Sequence, residues 1–152
     1  MDGEVFEVNV HAPLLLIQGL QGSLTDGASI VNIASVDGFT GAAAGMAYSA
    51  SKAALINLSM SLANVLAYRC IRVNTISPGW IGDGMRAPQE ILDEAKRSNP
   101  LGRVGDYDDI ANVVSFLLSE KAAYVNGTNI VVDGGDMSTT YLLNKEAAHY
   151  KS

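Results

Sequence analysis

The chain has 152 residues, 48% of them hydrophobic, with 15 glycines and a net charge of −6 at pH 7. That length allows one domain with a buried core, while the acidic balance and the lack of a basic run argue against nucleic acid or an anionic membrane as partner. No apolar run is long enough to span a bilayer. The acidic start Met1-Asp2-Gly3-Glu4 does not read as a signal or transit peptide, so a cytoplasmic protein is expected. The lone Cys70, between a helix end and a strand start, reads as a buried structural thiol.

Residues 4–20 carry Val5, Val8, Ala12, Leu15, Leu16 and Leu20 near helical spacing. Pro13 interrupts that helix. It has no N–H, so the carbonyl four residues earlier, that of Asn9, loses its partner. The outcome is either a kink with a solvated carbonyl or an acceptor freed for chemistry. Residues 29–35 read as a buried strand ending at Ser35, and Gly38–Gly45 as a flexible loop. A long helix is expected over 46–68, with an Ala- and Ser-rich first half that permits close approach. A second strand over 71–76 stops at Pro78-Gly79. A short helix over about 88–98 comes next, and then a helix capped by Asp106 with Ile110, Val113, Val114, Leu117 and Leu118 on one face. Asn129–Val132 is a third strand, trailed by Gly134-Gly135 and a polar tail. This alternation predicts an α/β fold, with a parallel sheet of about three strands joined by right-handed crossovers in a single domain spanning 1–152.

Ser35, Tyr48 and Lys52 carry the chemistry. Four-residue spacing puts Tyr48 and Lys52 on one helix face. A tyrosine ionises near ~10 when unperturbed, and a nearby ammonium favours the phenolate and moves that value toward neutrality. The Ser35 hydroxyl can hold a carbonyl or alcohol oxygen while Tyr48 gives or takes the proton. Such a set serves ketone reduction or alcohol oxidation if a hydride source is supplied. Each residue also has a plainer reading: Ser35 bonded to its own loop, Tyr48 and Lys52 as a surface pair, Asn9 as a polar helix residue. Ser49-x-x-Lys52 matches a serine acyl-transferase motif whose companion motifs are absent. His11 and His149 have no Cys, His or carboxylate neighbours at ligand spacing, so no metal site is expected.

The chain resembles the short-chain dehydrogenase/reductase family. The resemblance rests on Val8-Asn9-Val10, Ile33-Ala34-Ser35, Tyr48-Ser49-Ala50-Ser51-Lys52, Arg72-Val73-Asn74-Thr75-Ile76-Ser77-Pro78-Gly79, Pro100-Leu101-Gly102-Arg103, Asn126-Gly127 and Val132-Asp133-Gly134-Gly135, in family order. A second Tyr-x-x-x-Lys, Tyr141 and Lys145, lies in the tail and carries no such context. The resemblance implies part of a Rossmann-like doubly wound sheet and an NAD- or NADP-dependent oxidoreductase acting on a small alcohol or ketone. By the same resemblance Ser35 orients the substrate oxygen and Tyr48 is the acid/base. Lys52 lowers the Tyr48 pKa and holds the nicotinamide ribose, and the Asn9 carbonyl anchors a relay water. Pro78, Gly79 and Ile81 line the nicotinamide end, and Asp83 stands where the family often has a threonine for the carboxamide.

No glycine-rich dinucleotide turn comes after a strand. Gly38-x-x-Gly41-x-x-x-Gly45 corresponds to the family's substrate loop, and Gly82-x-Gly84 is no fingerprint. Relative to the family, roughly the first hundred residues are lacking. The first strand should therefore present an open apolar edge, and the chain should join a homo- or hetero-oligomer or be marginal alone. Three expectations stand: an enzyme completed by other residues, a non-catalytic remnant that assembles with a full-length relative, or an incomplete record of an ordinary enzyme.

Overall fold

The computed structural model describes residues 2–42 and 45–139. Tyr141, Lys145 and His149 lie outside them. Three parallel strands, β1 (Ser29–Ile33), β2 (Arg72–Pro78) and β3 (Asn129–Val132), form one sheet in the order β1-β2-β3. The expected α/β class and strand count hold. Ser29 pairs with Arg72 and Ile33 with Ile76 across the first ladder, and Thr75 with Asn129 across the second. Successive side chains of a strand point to opposite faces. Ile30 and Val73 thus share one face and pack against the long helix α3 (Met46–Leu66), joining Ile17, Leu62, Ala63 and Leu66. Val31, Ile76 and Ile130 face the other way, onto Ile110, Val113, Val114 and Leu117 of α5 (Tyr107–Leu118).

The two connections step in the same direction across the sheet but carry their helices on opposite faces. They are therefore of opposite hand, and the right-handed expectation holds for at most one of them. The second runs through α4 (Gln89–Ser98) and a bridge pairing Ile81 with Gly105, which gives it the length to wrap the far face.

The first helix is not continuous. It begins as α1 (Asp2–Phe6), widens into a π-turn over Glu7–His11 and resumes as α2 (Ala12–Leu20). The Ala12 N–H reaches back five residues to the Glu7 carbonyl, and Pro13 sits in the first turn of α2, where no intrahelical N–H is needed. The extra residue in the turn rotates α2 about its axis relative to α1. Leu14 and Ile17 face the core, whereas Val8, Leu15, Leu16 and Leu20, four of the apolar residues at helical spacing, are exposed. His11 Nδ1 lies 3.0 Å from Glu7 Oε1, a carboxylate partner that helical spacing could have suggested.

Four further expectations need correction. β1 is not buried: its residues are half-covered or exposed, since its outer side has no strand partner among the described residues. Leu118, assigned to the inner face of α5, is 50% exposed, because the core stripe runs through Ile110, Val113, Val114 and Leu117. The long helix ends at Leu66 and closes with a 3-10 turn. Cys70 is exposed rather than buried, since it takes a left-handed backbone (φ 56°) as the residue that stops that turn. Asp106 does cap α5, in a reciprocal box with Asp109. Among the described residues no helix is long and apolar enough to cross a membrane.

Candidate active site

Parallel strands end together, and the crevice beyond their carboxyl ends is where such sheets bind ligands. Here that crevice is a cleft of about 550 Å³. Ile33, Ser35 and Asp37 from the end of β1 form one wall, and Tyr48 and Lys52 from the first turns of α3 form the next. Pro78, Gly79, Trp80 and Ile81 close it from the end of β2, with Met85, Tyr107 and Ile110 opposite. Ser35, Tyr48, Lys52, Pro78, Gly79 and Ile81 thus meet at one place, as the sequence led us to expect.

Ser35 is buried and takes two roles at once. Its Oγ accepts the Asp37 N–H at 3.1 Å, capping a short 3-10 turn, and its hydroxyl acts to lower the pKa of the Tyr48 phenol. Lys52 Nζ donates to the Ile33 carbonyl at 2.9 Å and lies 5.5 Å from the centre of the Tyr48 ring. In a parallel ladder alternate residues turn their backbone groups to opposite sides. Ala34 donates to Ile76 of β2, so the Ile33 carbonyl belongs to the open edge of β1. The lysine therefore occupies the last acceptor of that edge.

The Tyr48 phenol is not moved toward neutrality as expected. Burial pushes its pKa up, the Ser35 hydroxyl partly offsets this, and the Asp37 charge adds to the rise. Lys52 is shifted down by burial. Half-buried groups resist charging, and the ammonium is held at a strand carbonyl and over the ring.

Gly38 fixes the spacing between the two walls. A Cβ there would meet the Lys52 carbonyl carbon and the Ala53 nitrogen at 3.1 Å and Ile56 Cδ1 at 3.0 Å. The start of the loop expected to be flexible is thus pressed against the α3 backbone.

Two expected residues are not in the cleft lining. Asn9 acts from behind: its Nδ2 donates to Ser51 Oγ at 3.0 Å, and that hydroxyl donates to the Tyr48 carbonyl at 2.7 Å. Asp83 is exposed. Ile81 is pinned to Gly105, and Gly82 and Gly84 then take left-handed conformations (φ 58° and 57°) that carry Asp83 to the outside of the turn. Ser49 is 93% covered and lines a separate hollow, which leaves no Ser-x-x-Lys nucleophile at the cleft. Sequence reasoning missed Asp37, Trp80, Met85 and Tyr107. Asp37 was within reach, two residues beyond Ser35 in the same short turn. Tyr107 directly follows the cap Asp106.

The donor set suits a neutral ring and a sugar hydroxyl rather than a pyrophosphate, because Lys52 is the only basic side chain lining the cleft among the described residues. A nicotinamide riboside fits; the phosphates have no holder among these residues.

Residues 3–136 match the family model described as enoyl-(acyl carrier protein) reductase. The chain is 43% identical over 136 residues to a 3-oxoacyl-(acyl carrier protein) reductase of Aquifex aeolicus, covering 87% of this chain and 55% of that protein. It is 36% identical over 137 residues to the human (3R)-3-hydroxyacyl-CoA dehydrogenase, covering 87% and 52%. Among solved structures, a 4-hydroxyisoleucine dehydrogenase mutant complexed with NADH and succinate superposes with a TM-score of 0.83 at 32% identity, covering 92% of this chain and 60% of that one. The chain spans about half the length of the curated relatives it matches. With its ordered motifs, parallel sheet and strand-end cleft, it belongs to the short-chain dehydrogenase/reductase family of oxidoreductases.

Proposed function

We propose that the cleft interconverts a secondary alcohol and a ketone with NAD or NADP, and that turnover requires phosphate-binding residues beyond these 152. The observation that carries this reading is the meeting of Ser35, Tyr48 and Lys52 at the carboxyl end of the sheet. When bound, the nicotinamide supplies or takes up the hydride. Ser35 holds the substrate oxygen, and Tyr48 delivers a proton from its hydroxyl to that oxygen or removes it in the reverse direction. A phenol held neutral by burial is the form that donates, so reduction is favoured at neutral pH and oxidation gains as pH rises. Lys52 would hold a ribose hydroxyl of the nicotinamide cofactor, and the Asn9 carbonyl would anchor the relay water. Asn9 also steadies the Tyr48 turn through Ser51. Pro78, Gly79 and Ile81 form the wall against the nicotinamide.

The need for more chain rests on three observations: the half-length match to relatives and, among the described residues, the open edge of β1 and the lack of phosphate donors in the cleft. The relatives act on 3-oxoacyl and 3-hydroxyacyl compounds by name, which makes acetoacetyl-CoA the first substrate to try. The decisive assay tracks nicotinamide absorbance with the protein as its source cells make it. Tyr48→Phe should lower turnover by about 10²–10⁴-fold while cofactor affinity persists; unchanged turnover removes Tyr48 from the role.

A second reading is favoured by the exposed face of α2, where Leu15 and Leu16 are 63% and 61% exposed. In it the chain is a non-catalytic partner of a full-length relative. Sedimentation of the two proteins mixed and apart separates the readings: a mixed assembly in which this chain binds no cofactor favours the second.

A further inference from the structure

Among the described residues only two charged side chains line the cleft, Lys52 and Asp37. Lys52 already has the Ile33 carbonyl as acceptor. Asp37 differs: its backbone N–H is tied to Ser35 Oγ, but its carboxylate accepts no hydrogen bond and joins no ion pair among the described residues. It is half-buried, so its charge is only partly screened. The charge is felt at the reacting group, since it helps hold the Tyr48 phenol up. The neighbouring walls, Val36, Trp80, Met85, Ile110 and Val114, are apolar and offer no counter-charge. The turn from Ser35 to Asp37 is rigid, because Gly38 beyond it abuts the α3 backbone.

Resting on the reading of the cleft as a carbonyl-reducing site, we propose that Asp37 selects the substrate by charge. It rejects compounds with a free carboxylate close to the reacting carbonyl. It accepts those in which that position is neutral, as in an ester, thioester or amide, or carries a hydroxyl or ammonium donor. The physical basis is simple. Two like charges a few ångströms apart repel strongly where water is partly excluded. A hydroxyl or ammonium instead gives the unpartnered carboxylate the donor it lacks. Asp37 touches no reacting atom in this scheme and sets specificity alone.

The test compares the wild-type protein, as its source cells make it, with Asp37→Asn and Asp37→Lys. The probes are acetoacetate and its ethyl ester, which differ in the charge beside the same ketone. The ratio of kcat/KM for acetoacetate to that for the ester should rise about tenfold in Asp37→Asn and further in Asp37→Lys, with the differences narrowing in high salt. Asp37→Asn preserves side-chain volume, and an unchanged Tm certifies its fold. A ratio that stays the same in both variants overturns the proposal.

A binding measurement separates this proposal from the activity beneath it. Acetoacetate is added to each protein while the Tyr48 ring signals are monitored by nuclear magnetic resonance. If no protein reduces either ketone, the oxidoreductase reading fails. Charge selection still stands if acetoacetate shifts the Tyr48 signals in Asp37→Lys and not in wild type. Equal shifts in all three proteins, or none in any, overturn it.

Discussion

β2 and β1 run side by side, yet they are built in opposite ways. β2 is the more polar in sequence and the more deeply covered: Arg72, Val73, Asn74, Thr75, Ile76 and Ser77 are all buried. Three of its polar side chains, Arg72, Asn74 and Ser77, find partners. The Arg72 guanidinium donates to the Leu117 and Ser119 carbonyls at the end of α5, at 2.8 and 3.1 Å, where a helix C-terminus welcomes a cation. Asn74 donates to the Val125 carbonyl and accepts from the Thr128 N–H, and Ser77 donates to Asn129. β1 is largely apolar but half-covered, and the α2 helix above it shows solvent Leu15, Leu16 and Leu20. In these two strands polarity does not track burial, because the buried polar side chains of β2 largely have hydrogen-bond partners. The site lies on the border between the two regimes, with Ser35 ending the open strand and Tyr48 riding on the helix that covers the buried one.

That contrast can be broken by truncation. Leu117→Ala, in the fully covered cluster, should cost about 2–5 kcal/mol, read as a loss of ΔG in urea. Leu16→Ala, on the open face, should stay within about 0.5 kcal/mol in the dissociated chain. Equal costs would mean that the two regions are equally packed. Next in size is the link between the regimes. Asn9→Ala should cost about 1 kcal/mol, and a double-mutant cycle with Ser51→Ala should return a coupling of about 0.5 kcal/mol or more; independent effects would dissolve the Asn9–Ser51–Tyr48 chain.

The smallest effect is electrostatic. Arg103 grips Asp109 with two hydrogen bonds, at 2.7 and 3.0 Å, and holds its carboxyl down at about 2 against an ordinary 3.8. A folded-state value below the unfolded one contributes stability above the unfolded value, lost as pH falls through the folded one. The Tm gap between wild type and Arg103→Met should therefore be widest near neutrality and close as pH falls from about 4 toward 2. A gap that widens in acid would reverse the sign.

Features set by local chemistry were legible in the sequence. The cap at Asp106, the stop at Pro78-Gly79, the three strands and the spacing of Tyr48 and Lys52 each arise from neighbours along the chain. Features that depend on distant contacts were not. The π-turn over Glu7–His11 interrupts a segment whose apolar spacing reads as one continuous helix, and no periodicity count anticipates that. Asp83 sits near the right place in sequence but is carried outward by a bridge to Gly105, a residue far along the chain. Cys70 stands in a left-handed position that glycine usually fills, so its type suggested burial while its backbone dictated exposure. The phenol shift depends on burial and on Asp37, where spacing to Lys52 alone implied the reverse.

The contact at Gly38 has a mechanical side. Ser35 stands on a strand end and Tyr48 on a helix, and two separate parts are held in alignment only as well as the surface where they touch. That surface is the bare α-carbon of Gly38 against the Lys52–Ala53 peptide, with no side chain between them. The tolerance of the catalytic gap is therefore smaller than one methyl group, and it is set by an atom the protein does without.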